Sequence, residues 1–363
     1  MYFVIFTAMT YDFIIIGQGI AGTTLAINLL KENKKILIID KETNSNASKV
    51  AAGLINPVTG QKVVKTWLAN ETFAELHDFY PYAENLLAST FFYPQPIYKP
   101  YLSTQELNHV FSRSTPGDLG DFVSLESNNQ IYKPFIKNNL GGFTITNGGY
   151  LDTNEYLNAA AVYFKEKNVL VNQEIDYKGI TFNTNHVKIG GYTADKIIFC
   201  EGLGALQNPY FNYLPFRPNK GEVLTFKSES LEVKEIISKN GWLLPLGNQL
   251  FKIGATYEHT FDNIVPTEIN KKILIEKLEE IIKVPYEIVN HQSGVRPANL
   301  NRRPFIGQHP TQLKLYIFNG LGSKGVSLAP YFSKQFIANL LYNEPLHPEV
   351  DILTHLSLFE KNI

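Results

Sequence analysis

The sequence predicts an α/β fold, α+β overall. A parallel-stranded unit built from separated segments is expected beside a second, mainly antiparallel-sheet domain. Three observations predict it. A strand, glycine turn, helix and second strand follow one another over residues 12–40. Alternating apolar and polar residues run through 215–290. A strand, a glycine-rich turn and a helix then occupy 314–342. A chain of 363 residues exceeds one simple core and suits two intertwined domains.

Residues 12–16 form a near-continuous apolar run, the mark of a strand covered on both faces. Residues 20–30 carry apolar side chains at helical spacing, and 36–40 (ILIID) is a second buried strand. Between the first strand and the helix lies Gly17-Gln18-Gly19-Ile20-Ala21-Gly22, a G-x-G-x-x-G motif in the context it requires. Gly17 permits the tight turn, Gly19 leaves room for a pyrophosphate, and Gly22 lets helix and strand pack closely. Ile20 and Ala21 open the helix, whose terminal N–H groups and partial positive charge favour phosphate. Asp40 ends the second strand 18 residues after Gly22, near the distance expected of an acid that binds ribose hydroxyls. A plain glycine turn is the bland alternative, and strand, helix and acid together argue against it. The motif alone does not separate FAD from NAD.

Further along, residues 71–140 are rich in Tyr, Phe and Pro with weak periodicity, and are expected to cover a substrate. Residues 151–167 read as a helix opened by Asp152 and Thr153. Residues 194–200 (ADKIIFC) are a short buried strand that leads into Glu201 and Gly202. GEVLTF, GWLLPL and QLFKIGATYEH read as antiparallel strands, interrupted by an amphipathic helix over 269–282. These segments assign 9–75, 141–212 and 291–363 to the nucleotide unit, and 76–140 and 213–290 to the substrate unit.

Composition narrows the class. Hydrophobic residues are 44% and charged residues 18%, ordinary for a globular enzyme, and a formal net charge of -1 gives no global pull toward nucleic acid or anionic membrane. The single Cys200 rules out an intrachain disulfide framework and fits a reducing, cytoplasmic setting. The first residues have no basic segment and no small-residue cleavage site, so a signal peptide is not expected, and Met9 stands beside Met1 as a candidate start because residues 9–22 open directly on the first strand. No stretch reaches the ~18 apolar residues of a membrane span. His259 and His309 stand alone, and no spacing suggests a metal.

Three further motifs carry a family resemblance that covers essentially the whole chain. They are Ser48-Lys49-Val50-Ala51-Ala52-Gly53-Leu54-Ile55-Asn56-Pro57, then residues 294–307 (GVRPANLNRRPFIG), then Gly320-Leu321-Gly322-Ser323-Lys324-Gly325-Val326 before a helix. With the N-terminal motif, they make the chain similar to the D-amino-acid oxidase superfamily of FAD-dependent oxidoreductases. Asn299 and Asn301 depart from that family's usual Thr or Ser and Asp.

The resemblance implies FAD held by Gly17, Gly19, Ile20, Ala21, Gly22, Asp40, Lys41, Ser48, Ala51, Ala52, Gly53, Leu54, Gly202, Gly322, Ser323, Lys324, Gly325 and Val326. Neither Cys nor His occurs from Lys41 to Glu75, so the flavin is expected to be non-covalent. Lys324 and the last helix terminus would stabilise negative charge at flavin N1 and O2. The resemblance also implies that Arg296 grips a substrate carboxylate, a task its guanidinium fork suits. Tyr257, Trp242 and Tyr150 are candidates to line the cavity, and Lys62 and Lys65 to face it. Arg302 and Arg303 are expected on the surface.

The reaction implied is oxidation of the C–N bond of a small amino acid or secondary amine. A hydride passes to flavin N5, water hydrolyses the imine, and O2 or a quinone is the acceptor. Four alternatives stand beside it. They are a tRNA wobble-uridine carboxymethylaminomethyl oxidoreductase, less favoured for want of a basic run, a 2-hydroxy-acid dehydrogenase, an NAD-dependent dehydrogenase, and a non-catalytic flavin-binding protein.

Overall fold

The computed structural model describes residues 10–41, 47–60, 62–126 and 129–361. The candidate starts Met1 and Met9 lie outside them. Strand β1 (Thr10–Ile16), helix α1 (Ile20–Lys31) and strand β2 (Ile36–Asp40) form the first crossover, with Ile14 opposite Leu37 in a parallel register. Ile14, Ile15, Ile38 and Ile39 are fully buried, which explains why these strands read as unbroken apolar runs.

The expected substrate-covering segment begins instead with a long helix, α2 (Ala69–Leu87). It buries Phe73, Leu76, Phe79 and Tyr80, and the Tyr80 hydroxyl donates to the Val326 carbonyl at 2.6 Å. Pro81 within the helix and the density of aromatic residues hide its periodicity in the sequence. Helix α3 (Thr153–Glu166) is capped by Asp152, which accepts from the N–H groups of Asn154 and Glu155. Thr153 lies inside the helix, buried, with its hydroxyl on the Ala51 carbonyl. Strands β3 (Leu170–Asn172) and β4 (Tyr192–Phe199) complete a parallel order β3–β2–β1–β4.

Among the described residues the second sheet has eight strands. It includes β5 (Asn219–Lys227), β6 (Leu250–Gly254) and, after helix α4 (Glu268–Ile281), the edge strand β7 (Glu287–Arg296). Its pairings are antiparallel except that between residues 236–238 and 97–100. Helix α4 covers one face, where Leu274, Leu278 and Ile281 pack with Leu224, Phe226 and Ile253. On the opposite face Leu244 and Trp242 join the core shared with α1 and the last helix. Hydrogen-bond register moves two expected boundaries. Residues 142–145 pair with 97–100, and β7 runs unbroken through residue 291, so both segments belong to the antiparallel sheet.

The chain then returns to the first sheet. Strand β8 (Leu315–Asn319) pairs in parallel with the C-terminal half of β4, and helix α5 (Gly325–Tyr342) packs beside α1, with Asn28 Nδ2 donating to Ser333 Oγ at 2.7 Å. No helix among the described residues is long and apolar enough to cross a membrane.

Candidate active site

The carboxyl ends of β1, β4 and β8 face the N-termini of α1 and α5, the position where open parallel sheets bind ligands. Gly17 has φ 104°, and a Cβ there would lie 2.6 Å from the Cys200 carbonyl oxygen. A Cβ on Gly22 would lie 1.9 Å from the Gly17 oxygen, so helix and turn touch through hydrogen alone. Gly19 caps α1 without any side chain, and the first turn holds no acid. The Ile20 N–H reaches Ser48 Oγ at 3.3 Å, which brings the 47–57 segment to the helix terminus. Asp40 Oδ1 accepts the Gln18 N–H at 2.8 Å, a turn-closing bond not foreseen from spacing. Lys41 pairs with Glu174 on the surface at 2.7 Å.

The 47–57 segment is held by close backbone contact. Gly53 has φ 65°, and a Cβ there would lie 1.8 Å from the Leu151 carbonyl oxygen. Leu54 and Ile55 pair with residues 149–150, and a Cβ on Gly294 would lie 3.2 Å from Val50. Ala51 and Ala52 therefore stretch from the α1 terminus toward the open face of the antiparallel sheet.

At the end of β8, Gly320 and Gly322 turn the chain with φ 74° and 58°. A Cβ on Gly325 would lie 3.7 Å from Ile20 Cγ2, so the two helix N-termini are neighbours. Gly202 (φ 57°) has open space where a Cβ would stand, and its carbonyl accepts from Asn319 Nδ2 at 2.9 Å. Ser323 is exposed. Lys324 is partly buried, and no carboxylate pairs with it among the described residues. Burial, with the charges of Arg302 and Arg303 adding, pushes its ammonium down to about 8. Two acid-free helix termini, glycines open to a ligand and a desolvated cation make a cradle that fits an anionic dinucleotide such as FAD.

Arg296 ends β7, opposite Asn219 in the strand register. It donates to Asn219 Oδ1 at 2.7 Å and to the Thr256 carbonyl at 3.5 Å, and its guanidinium lies 4.6 Å from the Tyr257 ring centroid. Among the described residues no carboxylate pairs with it, and burial lowers its pKa from the ordinary value. Gly221 makes room: a Cβ there would lie 2.1 Å from Nη2. Strand alternation puts Lys220 and Glu222 on the opposite face, directly behind the guanidinium. Glu222 is fully buried, 3.2 Å from Lys220 Nζ and 2.7 Å from His291 Nε2, and accepts from Thr267 N and Asn270 Nδ2. Through its backbone N–H to Thr256 Oγ1, at 2.9 Å, it anchors the 255–267 loop that carries Tyr257.

The remaining expected residues divide. Trp242 packs over Gly254, where a Cβ would lie 2.3 Å from its ring, on the face that carries Arg296. Tyr150 stacks on Tyr93 at 4.7 Å. Lys65 is spent on Asp121 at 2.7 Å and on the Phe122 ring, so it does not stand free beside the site. Lys62 is exposed. Arg302 is a surface charge as expected. Arg303 also lies at the surface, but paired: it donates to Glu349 at 2.7 Å and lies 4.0 Å from the Trp67 ring centroid, where the indole supplies a stacking face beside the carboxylate. Asn299 and Asn301 both accept the Arg303 N–H at 3.1 Å and so close their turn. His309 is buried among aromatic rings and pushed down to about 4, and His259 is exposed.

Asn219, Gly221, Thr256, Glu222 and Lys252 were not singled out from the sequence. Lys252 lies on β6, on the same face as Trp242, with its pKa lowered by burial. The signal for Asn219 was present in the alternation of β5, but its partner lies 77 residues away. Among the described residues no group of His, Cys, Asp and Glu is placed to hold a metal ion.

Such a fold and cradle define a dinucleotide-dependent oxidoreductase. The chain belongs to the family DAO, FAD dependent oxidoreductase, which matches residues 12–338. It is an FAD-dependent enzyme of the amino acid oxidase family. The glycine oxidase of Pseudomonas putida is 24% identical over 93% of this chain and 96% of its own length. The bifunctional tRNA 5-methylaminomethyl-2-thiouridine biosynthesis protein of Leptospira interrogans is 24% identical, and this chain spans 94% of itself but 59% of that protein. Among solved structures, glycine oxidase from Bacillus cereus shares the fold with a TM-score of 0.78 at 19% identity, covering 93% of this chain and 96% of that one. Iminodiacetate oxidase from Chelativorans does so with a TM-score of 0.72 at 19% identity, over 93% and 98%.

Proposed function

We propose that this chain oxidises the C–N bond of a small amino acid or secondary amine that carries a carboxylate, as a glycine-oxidase-type enzyme. The observation that carries the reading is Arg296, a partly buried guanidinium with a neutral amide and an aromatic ring for neighbours and no carboxylate partner among the described residues. A cation withdrawn from water without a counter-charge is costly, and a bound carboxylate offsets that cost.

Bound FAD supplies the two-electron acceptor for the carbon–hydrogen bond next to nitrogen. The chain's own residues orient and exclude water. Arg296 and Asn219 fix the carboxylate end, Tyr257 covers the guanidinium face, and Trp242 and Tyr150 wall the cavity. The glycine turns at Gly17, Gly202 and Gly322 and the termini of α1 and α5 hold the dinucleotide without a covalent bond. Ser48, Ala51, Ala52, Gly53 and Leu54 carry the backbone past it. Lys324 places positive charge at the α5 terminus, where it favours a reduced, anionic partner.

The experiment is an absorption spectrum of the purified protein before and after acid precipitation, then anaerobic addition of glycine, sarcosine, D-amino acids and lactate. Flavin colour that leaves with the supernatant and bleaches with an amine supports the reading. Bleaching by lactate alone moves the assignment to a 2-hydroxy acid, and a protein that takes up no FAD overturns it.

A second reading is favoured by the likeness to the bifunctional tRNA-modifying protein over 94% of this chain. A carboxymethylaminomethyl group on a wobble uridine is itself an N-substituted glycine, so its carboxylate suits Arg296 equally. Bleaching by tRNA bearing that group, and by no free amine, selects this reading.

A further inference from the structure

Asn219 is buried, 2% exposed, at the first position of β5. Arg296 has only donors, so the amide must present Oδ1 to Nη1, and the 2.7 Å contact fixes the side chain that way round. Nδ2 therefore faces away from the guanidinium carrying two N–H donors. It is buried and has no hydrogen-bond partner among the described residues. A buried amide donor without an acceptor loses its hydration and gains nothing in exchange. Asn219 shares its strand face with Gly221, over which the guanidinium lies, so its spare donors belong to the Arg296 pocket. The polar atoms around it do not fill the need: the Thr256 carbonyl is turned to Arg296 at 3.5 Å, and Lys220 and Glu222 occupy the opposite face of the strand.

We propose that Asn219 is a second carboxylate-binding residue, its Nδ2 donating to the carboxylate held by Arg296. This rests on the reading of Arg296 given above. The pair forms a composite clamp, with charge supplied by the guanidinium and a neutral donor by the amide. The amide oxygen at the same time orients the guanidinium, so the two groups select a planar anion over a neutral or tetrahedral one. The same donor chemistry would also suit a carbonyl of the flavin, and the test separates the two acceptors.

The measurement is the dissociation constant of acetate for the FAD-loaded protein, read from the change in flavin absorbance, together with the dissociation constant of FAD for the apoprotein. Wild type is compared with N219A, N219S, N219D and R296M. N219A and N219S should weaken acetate binding by about tenfold while leaving FAD affinity unchanged, the effect of one lost hydrogen bond to a charged group. N219D should weaken it further, because its carboxylate would occupy the guanidinium itself. Weakened FAD binding with acetate affinity unchanged in N219A assigns the donor to the flavin and overturns the proposal. Unchanged acetate binding in R296M instead overturns the reading of Arg296 on which the proposal stands. If N219A does not fold, N219S, which keeps a small polar group, decides in its place.

Discussion

The guanidinium of Arg296 lies against the ring of Tyr257, 4.6 Å from its centroid, and that tyrosine is 67% exposed. The ring covers a cation whose other partners are an amide oxygen and a carbonyl, so positive charge is shielded from solvent without being neutralised. Lysine could not take this position unchanged, since it lacks the planar fork that holds the amide and, in the proposed reading, a carboxylate as well.

Arg296→Lys should therefore raise KM for an amino-acid substrate by roughly ten- to a hundredfold, the order expected when a charged hydrogen-bonding partner is misplaced. FAD content should stay near wild type. Steady-state kinetics with flavin quantified per chain checks this, and an unchanged KM would remove Arg296 from the site.

Gly221→Ala tests the same pocket from its floor. The added methyl would lie 2.1 Å from Nη2 and 2.3 Å from Nη1, so the guanidinium must move. Substrate affinity should fall while the antiparallel sheet keeps its stability to within about 1–3 kcal/mol, the usual range for overpacking. Chemical denaturation beside substrate titration separates the two effects.

Gly22→Ala strikes the dinucleotide turn. Its methyl would stand 1.9 Å from the Gly17 carbonyl oxygen, a contact that cannot be relieved without parting helix α1 from β1. The variant should be purified colourless or release FAD on dilution. Retention of a full complement of flavin would contradict the assignment of that turn.

Glu222→Gln removes the charge at the hub behind Arg296. Burial alone would raise this carboxyl, but hydrogen bonds from Asn270 and Thr267 and the Lys220 ammonium bring it below the ordinary carboxylate value. The loop bearing Thr256 and Tyr257 should loosen, so KM should rise several-fold more than kcat falls, with R296M insensitive to the second change. Equal effects in both backgrounds would show a merely structural role.

Lys324 gives a pH signature in the apoprotein. Its ammonium is pushed down to about 8 by burial and by Arg302 and Arg303, whereas lysine in an unfolded chain titrates near 10.4. Below pH 8 both states are protonated, and folding carries the whole cost of burying the charge. From about pH 8 to 10.4 the folded state releases its proton first, so that cost fades and this group's contribution to stability rises with pH. Lys324→Met should abolish the rise and stabilise the apoprotein at pH 7. Thermal melts of both apoproteins across that range check it, and parallel curves would disprove it.

Much of the nucleotide side was legible because its chemistry is local. Gly17, Gly19 and Gly22 act within one turn, and the apolar run of β1 says by itself that both faces are covered. The long helix over Ala69–Leu87 was not legible, since Pro81 and its many aromatic residues blur the helical period. Arg303 and Lys65 looked like surface charges or free cations, because nothing in their neighbourhood announces Glu349, Trp67 or Asp121.

By itself the sequence determined the first crossover, the glycine turns that suit a dinucleotide, and the antiparallel strands and helix within 215–290, while Arg296 stood out through the family resemblance of its motif. Backbone conformation and burial periodicity act over a few residues, and a single chain records them. Only the tertiary structure decided what surrounds Arg296. Asn219 meets it through strand register, Gly221 clears space for it, and Glu222 braces the loop of Thr256 and Tyr257 from behind. Those contacts join segments separated by tens of residues, and their energy exists only once the sheet has fixed which side chains share a face.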